Sequence, residues 1–204
     1  MSTSIIAIDG PAGSGKSTVA KALAERLNWS FLDTGAMYRA VTAEVLDKGI
    51  SVEDKDAIAI IAGVANIETL PKVTINGRDV SEIIRTPLIN ENVSAVAAIS
   101  EVREHMVKRQ REFAELQPLG TVVEGRDITT VVFPDATLKV YLDADVAERA
   151  KRRGNEDATA IINRDIADST RTVSPLRQAD DAIFMDTSDL SVSEVVEAIV
   201  KCLP

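Results

Sequence analysis

Cysteine, histidine and aromatic residues are scarce in this 204-residue sequence. The single cysteine, Cys202, leaves no partner for a disulfide within the chain and no set of thiolates for a zinc site, and such usage fits a reducing compartment. The single histidine, His105, lies in a polar helical pattern, and because metal sites need several donors we expect it at the surface. Aromatic residues make up 3% of the chain, so the core must consist of aliphatic side chains.

Long apolar runs and positive charge are also lacking. No segment reaches the roughly 18 to 20 uninterrupted apolar residues of a membrane span, and the first residues lack the basic and apolar regions of a signal peptide. The 23 Lys and Arg residues are outnumbered by 32 Asp and Glu, and the net charge of −9 disfavours binding to nucleic acid. The sequence has no sustained heptad pattern that would indicate association between chains. We therefore expect a cytoplasmic monomer with neither membrane nor nucleic-acid partners.

The sequence does contain an alternation of short apolar runs and helical patterns. Residues 4–9 are typical of a buried parallel strand, residues 10–15 are rich in glycine, and residues 16–27 place apolar side chains at helical spacing. A second short strand is predicted over residues 29–32. Strand, glycine loop, helix and strand in this order predict a parallel α/β fold. Later strands are predicted at residues 121–123, 138–142 and 182–185, and later helices at residues 147–153, at residues 161–171 and after a capping box at residues 191–194.

The middle of the chain has a different pattern. Helices broken by Gly49 and Gly63 are predicted between residues 35 and 65. Asn76-Gly77 between two short extended segments predicts a β-hairpin, and one long helix is predicted over residues 92–116. A small hairpin within an α/β protein indicates an insertion over the main sheet. Because the sequence shows no linker, repeat or low-complexity tract, we predict one domain.

The glycine-rich segment GPAGSGKST, residues 10–18, contains the pattern G-x-x-x-x-G-K-[ST] between the first strand and the first helix. Glycines let the backbone turn its N–H groups toward phosphate oxygens, and the start of a helix favours an anion. Lys16 would reach the β and γ phosphates, and the hydroxyl of Ser17 or Thr18 would bind Mg²⁺. The pattern predicts that a nucleoside triphosphate binds Gly10, Pro11, Ala12, Gly13, Ser14, Gly15, Lys16, Ser17 and Thr18.

Other features narrow the class of phosphate-loop protein. The D-x-x-G and N-K-x-D elements of a GTPase are absent. Arginine is well supplied, and planar guanidinium groups bind phosphate in bidentate fashion, which suits a small kinase that must bring two phosphorylated reactants together. Arg39 and Arg126 stand out because each follows a strand and a loop. The candidate arginines are Arg39, Arg126, Arg149, Arg152, Arg153, Arg164 and Arg171.

Four segments taken together resemble the bacterial cytidylate kinases. They are residues 10–18, LDTGAMYRA at residues 32–40, EGRDITTVVFPDA at residues 124–136 and RDIADSTR at residues 164–171. The resemblance runs in order along almost the whole chain. It implies transfer of the ATP γ-phosphate to CMP or dCMP with Mg²⁺, a reaction of pyrimidine nucleotide metabolism. It also implies a three-layer phosphate-loop NTPase fold, in which helices flank a parallel sheet.

The same resemblance implies two substructures and a set of site residues. A small insertion at about residues 35–115 would contain the hairpin and bind the monophosphate, and a short helical lid would occupy about residues 153–171. The implied catalytic residues are Lys16, Arg39, Arg126 and Arg171. The monophosphate pocket would be lined by Asp33, Thr34, Tyr38 and Arg39, with Arg39 on the acceptor phosphate. Contacts to the acceptor are implied for the phosphate-binding Arg126 and Arg171 and for the lid residues Arg164 and Asp168, which would face the substrate and its sugar. Contacts to the ATP phosphates are implied for Arg149 and Arg153.

Ser94, Arg103 and Asp127 match the positions that read cytosine in the family. The base has an N4 amino donor that Ser or Asp oxygens can accept, and N3 and O2 acceptors that suit Arg. Two features depart from the family pattern. Glu124 stands where many relatives have Asp, so a role near Mg²⁺ is open, and the stretch between Arg153 and Arg164 is short.

Two alternative functions use the same glycine loop. One is a kinase of another small acceptor, such as shikimate or a different monophosphate, and the other is a nucleotide sensor without turnover. The hairpin and the cytosine-reading residues weigh against the first alternative. The full set of arginines weighs against the second.

Overall fold

The computed structural model describes residues 4–154 and 157–204. Its strands are β1 Ile5–Asp9, β2 Ser30–Asp33, β3 Ile67–Glu68, β4 Thr74–Ile75, β5 Arg78–Asp79, β6 Thr121–Gly125, β7 Leu138–Asp143 and β8 Ile183–Asp186. Its α-helices are α1 Lys16–Leu27, α2 Thr34–Asp47, α3 Lys55–Val64, α4 Pro87–Ala97, α5 Ser100–Glu115, α6 Val146–Arg152, α7 Ala158–Ser169 and α8 Val192–Lys201. A 3₁₀ turn at Ile83–Arg85 and a π-helical turn at Ile128–Val132 complete the described elements.

The chain forms two compact units. The first unit contains the residues up to Leu32 and those from Arg111 onward, and the second unit is Asp33–Gln110. The second unit and the predicted insertion, residues 35–115, cover nearly the same part of the chain, while its role in binding a monophosphate stays a prediction. Helix α7 lies in the range predicted for the lid. Asn155 and Glu156, which the prediction also included, lie outside the described residues.

The first unit is built on a five-stranded sheet with the order β2-β6-β1-β7-β8. Strand β1 pairs in parallel with β6 and β7, and Asp9, its last residue, lies in register with Gly125 and Tyr141. All five residues of β1 are buried, as expected for the centre of a parallel sheet. The carboxyl ends of the strands therefore meet at one edge, which is where ligands bind in such folds.

An aliphatic core holds α1 and α8 against this sheet. Ile6 and Ile8 of β1 and Leu142 of β7 are fully buried and pack with Leu23 of α1 and Ile199 of α8. The capping box predicted at the start of α8 is confirmed, because the side chains of Ser191 and Glu194 each accept the backbone N–H of the other. This packing fixes the start of α1 at the end of β1, with the glycine loop between them.

The second unit has its own small sheet and its own core. Strand β4 pairs antiparallel with both β3 and β5. The turn between β4 and β5 places Asn76 and Gly77 at φ 52° and 80°, so the predicted hairpin is confirmed. Ile75, Ile84 and Ile89 are buried in a cluster with alanines of α2.

Two details of the middle region differ from the sequence-based expectation. Gly63 lies inside α3 rather than ending it, and a Cβ there would lie 3.1 Å from Nε2 of His105. Its missing side chain thus makes room for the exposed His105 ring. The helix predicted over residues 92–116 is two helices, because Ala98 N–H and Ile99 N–H donate to carbonyls three residues back and end α4. Apolar spacing continues across this break, with Val96 and Ile99 both buried, so the pattern conceals it.

Candidate active site

The glycine loop lies at the carboxyl end of β1 and requires glycine where it turns. Gly10 has φ 150°, and a Cβ there would lie 1.9 Å from the carbonyl oxygen of Leu142 in β7. Gly13 and Gly15 have φ 79° and 87°. Helix α1 begins at Lys16, and Gly15 at its N-cap offers no side chain to the first N–H groups of the helix. These N–H groups have no carbonyl partner within the helix and form an anion site.

Lys16 lies within this loop and is buried. Its Nζ donates to the carbonyl oxygen of Pro11 at 2.7 Å and lies 3.4 Å from Oγ of Ser14. Burial, and after it the positive charge of Arg126, lowers the pKa of Lys16 to about 7. Among the described contacts, Lys16 has no direct carboxylate partner.

The side chains of Ser17 and Glu124 meet beside the loop. Oγ of Ser17 donates to Oε1 of Glu124 at 2.6 Å, and Glu124 is 4% exposed at the end of β6. Hydroxyl and carboxylate oxygens are the donors that Mg²⁺ prefers. In the part of the chain that the structure describes, no cluster of three or more His, Cys, Asp or Glu could hold a metal ion. The pair suits Mg²⁺, which usually takes most of its ligands from water and substrate phosphates.

A hollow of about 480 Å³ opens on the loop. Arg152 lies on its wall, where its guanidinium donates to the carbonyl oxygen of Thr187 at 2.5 Å and to Oγ1 of Thr187 at 2.9 Å. The hollow is lined by Gly13, Ser14, Gly15, Lys16, Ser17, Thr18, Val19, Arg152, Arg153, Thr187, Leu190, Ser191, Val192 and Val195. The residues after β8 were not predicted as site residues, although their place after a parallel strand was a signal.

Arg126, Asp168 and Arg171 come together as one charged group. Nε of Arg126 donates to Oδ2 of Asp168 at 2.8 Å, and Nη1 donates to the carbonyl oxygen of Gly10 at 3.1 Å. Nη2 of Arg171 lies 3.3 Å from Oδ1 of Asp168, which is 5% exposed. Three predicted site residues are thus assembled at the loop. Their contact with the acceptor phosphate stays a prediction.

Arg149 and Arg153, both predicted to contact ATP phosphates, have different surroundings. Arg153 lines the hollow. Arg149 is buried and donates to the carbonyl oxygens of Ala12 and Ala144, each at 3.0 Å, and to the carboxylate of Asp165. Its guanidinium is therefore part of the support of the loop. Asp165 was not predicted as a site residue, because its contacts join segments remote in sequence.

Asp9 supports the next loop from the end of β1. Its carboxylate accepts the backbone N–H groups of Ile128 and Thr129 at 2.9 and 2.7 Å and the hydroxyl of Thr129 at 2.7 Å. Burial raises the pKa of Asp9 to about 6, although the hydrogen bonds from Thr129 and Ile128 oppose the shift. The π-helical turn that follows Asp127 is thereby fixed to the strand that leads into the glycine loop.

The second unit carries the predicted residues of the acceptor pocket. Nη1 of Arg39 donates to Oδ1 of Asn90 at 2.6 Å and to the carbonyl oxygen of Ile84 at 2.9 Å. The guanidinium carbon of Arg103 lies 5.4 Å from the centroid of the Tyr38 ring, and its Nη1 donates to the carbonyl oxygen of Ala97. Two predicted residues are thus brought together.

The other predicted residues are distributed over both units. Asp33 caps α2 by accepting the N–H of Ala36 at 2.8 Å and pairs with Arg85 at 3.0 Å. Thr34 is buried at the start of α2, and Ser94 lies on α4. Of the three residues predicted to read cytosine, Ser94 and Arg103 belong to the second unit, while Asp127 belongs to the first. Arg164 lies on α7 of the first unit.

Among known proteins, the sequence model of the family described as Cytidylate kinase matches residues 6–204. The chain is 46% identical to a cytidylate kinase of Streptomyces avermitilis over 96% of this chain and 90% of that protein. It is 47% identical to a cytidylate kinase of Caldanaerobacter subterraneus over 97% of this chain and 93% of that protein.

Solved structures with low sequence identity share the fold. TT1252 from Thermus thermophilus matches with a TM-score of 0.55 at 17% identity over the whole of both chains. A shikimate kinase of Bacteroides thetaiotaomicron matches with a TM-score of 0.53 at 14% identity over 98% of each chain. The predicted fold, a parallel sheet flanked by helices, is confirmed. None of the helices in the described residues is long and apolar enough to cross a membrane.

Proposed function

The chain belongs to the cytidylate kinase family and phosphorylates CMP and dCMP, and we propose that it does so with ATP and Mg²⁺ bound at the glycine loop of residues 10–18. The observation that carries the donor site is the loop itself. Gly13 and Gly15 have positive φ, α1 begins with uncapped N–H groups, and Lys16 lies within the turn. This is an arrangement that binds phosphate oxygens.

The proposed metal site consists of Ser17 and Glu124. When bound there, Mg²⁺ would supply positive charge that offsets the charge of the phosphates. The hydroxyl of Ser17 would ligate the ion. The carboxylate of Glu124, whose Oε1 is 2.6 Å from that hydroxyl, would help to hold the ion directly or through water. Thr18 also lines the hollow. The sequence left open whether its hydroxyl or that of Ser17 binds Mg²⁺.

The proposed donor base lies beyond the phosphate loop in the hollow lined by Arg152, Leu190 and Val192. An apolar wall with a planar guanidinium suits a purine ring. Thr187 fixes this wall to the loop, because its hydroxyl donates to the carbonyl oxygen of Ser14 at 3.1 Å.

The proposed chemistry needs positive charge more than proton transfer. The second pKa of a monophosphate is about 6, so the acceptor is mostly dianionic at neutral pH and needs no general base. Lys16, Arg126 and Arg171 would stabilise charge on the transferred group, and Arg39 would hold the acceptor phosphate. Ser94, Arg103 and Asp127 are proposed to read cytosine.

The test of the proposed function is ADP release from ATP with CMP, dCMP, UMP, AMP and shikimate as separate acceptors. Strong stimulation by CMP and dCMP over the others supports the proposal. Preference for another acceptor would overturn the cytosine assignment, and no stimulation by any acceptor would overturn the kinase assignment.

The metal assignment has its own test. Ser17→Ala should raise the Mg²⁺ concentration needed for half-maximal rate about 10-fold or more, because one ligand is lost. Glu124→Gln should act in the same direction. An unchanged Mg²⁺ dependence in both variants would place the metal elsewhere.

A further inference from the structure

Asp165 of α7 joins this helix to the middle of the glycine loop. Its Oδ1 accepts the N–H of Ala12 at 3.0 Å, and its Oδ2 pairs with Nη1 of Arg149. The same Nη1 donates to the carbonyl oxygen of Ala12 at 3.0 Å. Asp165 and Arg149 together therefore hold both backbone polar groups of Ala12.

Two peptide planes of the loop are oriented by these contacts. A peptide group is planar and trans, so its C=O and N–H point in opposite directions. The plane that contains Ala12 N–H also contains Pro11 C=O, which accepts Nζ of Lys16 at 2.7 Å. The plane that contains Ala12 C=O also contains the N–H of Gly13, a residue that lines the hollow. Holding Ala12 from one side thus points the Pro11 carbonyl and the Gly13 N–H to the other.

The loop needs such support because its own sequence leaves it flexible. Glycine at positions 10, 13 and 15 permits many backbone conformations. Phosphate binding is strongest when the donors are fixed before the ligand arrives. Gly13 is also in close contact with α6, since a Cβ there would lie 2.8 Å from the carbonyl oxygen of Arg149. Arg149 therefore supports the loop through its backbone as well as its guanidinium.

The supporting pair is shielded from water. The side chain of Arg149 is 7% exposed and that of Asp165 is 19% exposed. Removal of Asp165 alone would leave the Arg149 guanidinium buried with one partner fewer and the Ala12 N–H without this acceptor. Such losses are larger than those of exposed ion pairs.

We propose that Asp165 is a positioning residue for the donor phosphates, acting through Ala12 and Arg149 on the orientation of Gly13 N–H and of the Pro11 carbonyl that meets Lys16. This inference rests on the proposed binding of ATP at the loop. It assigns Asp165 no contact with either substrate.

The experiment compares Asp165→Ala, Asp165→Asn and the control Asp180→Asn, which changes an exposed carboxylate of the same unit. Asp165→Ala removes both contacts and should raise KM for ATP about 10-fold, while KM for CMP changes less than about 2-fold. Asp165→Asn keeps an oxygen for Ala12 N–H but loses the charge, and should give a smaller rise. Asp180→Asn should leave both KM values unchanged.

Direct ATP binding by calorimetry, with folding checked by circular dichroism, separates positioning from general destabilisation. A larger Kd for ATP in a fully folded Asp165→Asn variant supports the proposal, even if Asp165→Ala fails to fold. Equal rises in both KM values, or an unchanged Kd in folded Asp165→Asn, would overturn it. Lack of CMP stimulation in the wild-type enzyme would instead overturn the proposed function, and the binding measurement would still decide the role of Asp165.

Discussion

The acceptors described for two predicted site arginines of each unit differ in kind. In the first unit, Arg126 and Arg149 are paired with the carboxylates of Asp168 and Asp165 on one helix, α7. In the second unit, Arg39 and Arg103 donate to backbone carbonyls and to an amide, which are neutral acceptors. The first contacts join two opposite charges, and the second join a charge to a neutral dipole.

Ends of helices supply neutral acceptors in the second unit. Arg103 donates to Ala97, the last residue of α4, and Arg109 donates to the carbonyl oxygens of Ala62 and Gly63 near the end of α3. Carbonyls at the end of a helix have no partner within it and carry its negative dipole end. A guanidinium can thus be oriented by an end of a helix as well as by a carboxylate.

Loss of one acceptor should have a different cost at these two kinds of contact. A buried charge whose counter-charge is removed is strongly destabilised, whereas a lost amide contact removes about one hydrogen bond. Loss of the carboxylate that pairs with Arg126 or Arg149 should therefore cost more than loss of the Asn90 amide from Arg39.

The largest effect is expected for Lys16→Ala in the first unit. Lys16 is proposed to stabilise charge on the transferred phosphoryl group, and removal of one such group lowers kcat about 10²–10³-fold. The measurement is kcat with CMP at saturating ATP. The control is Lys21→Ala, an exposed lysine on the same helix, which should keep wild-type kcat. Near-normal turnover of Lys16→Ala would show that the loop does not bind the reacting phosphates.

The next effect is a pH dependence of stability that arises from Asp9. The pKa of Asp9 is about 6 in the folded chain against 3.8 as its ordinary value, so the folded chain binds the proton more tightly. The contribution of Asp9 to stability therefore falls as the pH rises from about 4 to about 6 and is constant above. Two pKa units correspond to about 3 kcal/mol at most.

Asp9→Asn removes this titration. The stability of the variant relative to wild type should rise over the same pH window, measured by urea unfolding at pH 4.5 and pH 7. At every pH the variant places an amide N–H₂ against the donors of Ile128 or Thr129, which lowers its stability by a constant amount. Asp180→Asn serves as the control. A wild-type-to-variant difference that stays constant with pH would mean that Asp9 does not titrate in this window.

The glycine loop and the elements around it were predictable because their signals are local. The bounds of α1 agree with the predicted residues 16–27, and the hairpin lies at the predicted Asn76-Gly77, where both residues have positive φ. The strands of the large sheet were predicted to within about two residues, because each contains a short run rich in apolar residues. The match of four separate motifs to one family supplied the function.

The support of the site was not predictable in the same way. Asp165 and Ala12 are 153 residues apart, and nothing near Asp165 in the sequence indicates that it meets the glycine loop. Asn90 is 51 residues from Arg39, with only a short polar side chain to mark it. Such contacts depend on how helices are placed on the sheet, which local patterns do not specify.

The variant Asn90→Ala tests a neutral contact of the second unit. Asn90 accepts from Arg39 at 2.6 Å, and the carbonyl oxygen of Ile84 remains as a second acceptor. We therefore expect a moderate effect, a rise of about 10-fold or less in KM for CMP with no change in KM for ATP. Asn92→Ala is the matched control, because Asn92 lies on the same helix and donates to the carbonyl oxygen of Leu88. A rise in KM for ATP alone would contradict the assignment of Arg39 to the acceptor.

The smallest effects on the free energy of unfolding are expected for exposed charge pairs, whichever unit they belong to. Arg78 in the second unit pairs with Glu44 at 2.9 Å and Asp47 at 3.0 Å, with its side chain 37% exposed. Arg26 in the first unit pairs with Glu197 at 3.2 Å, and both side chains are about half exposed. We expect Arg78→Gln and Arg26→Gln each to lower the free energy of unfolding by less than about 1 kcal/mol, and by less still at high salt.

Arg78→Gln is the more informative of the two, because Glu44 is buried and retains Lys48 at 3.3 Å. Urea unfolding at low and high NaCl measures both variants. If Arg78→Gln costs several kcal/mol while Arg26→Gln does not, the buried Glu44 carboxylate depends on Arg78. If the two costs are equally small, exposure of the arginine weakens a charge pair alike in both units.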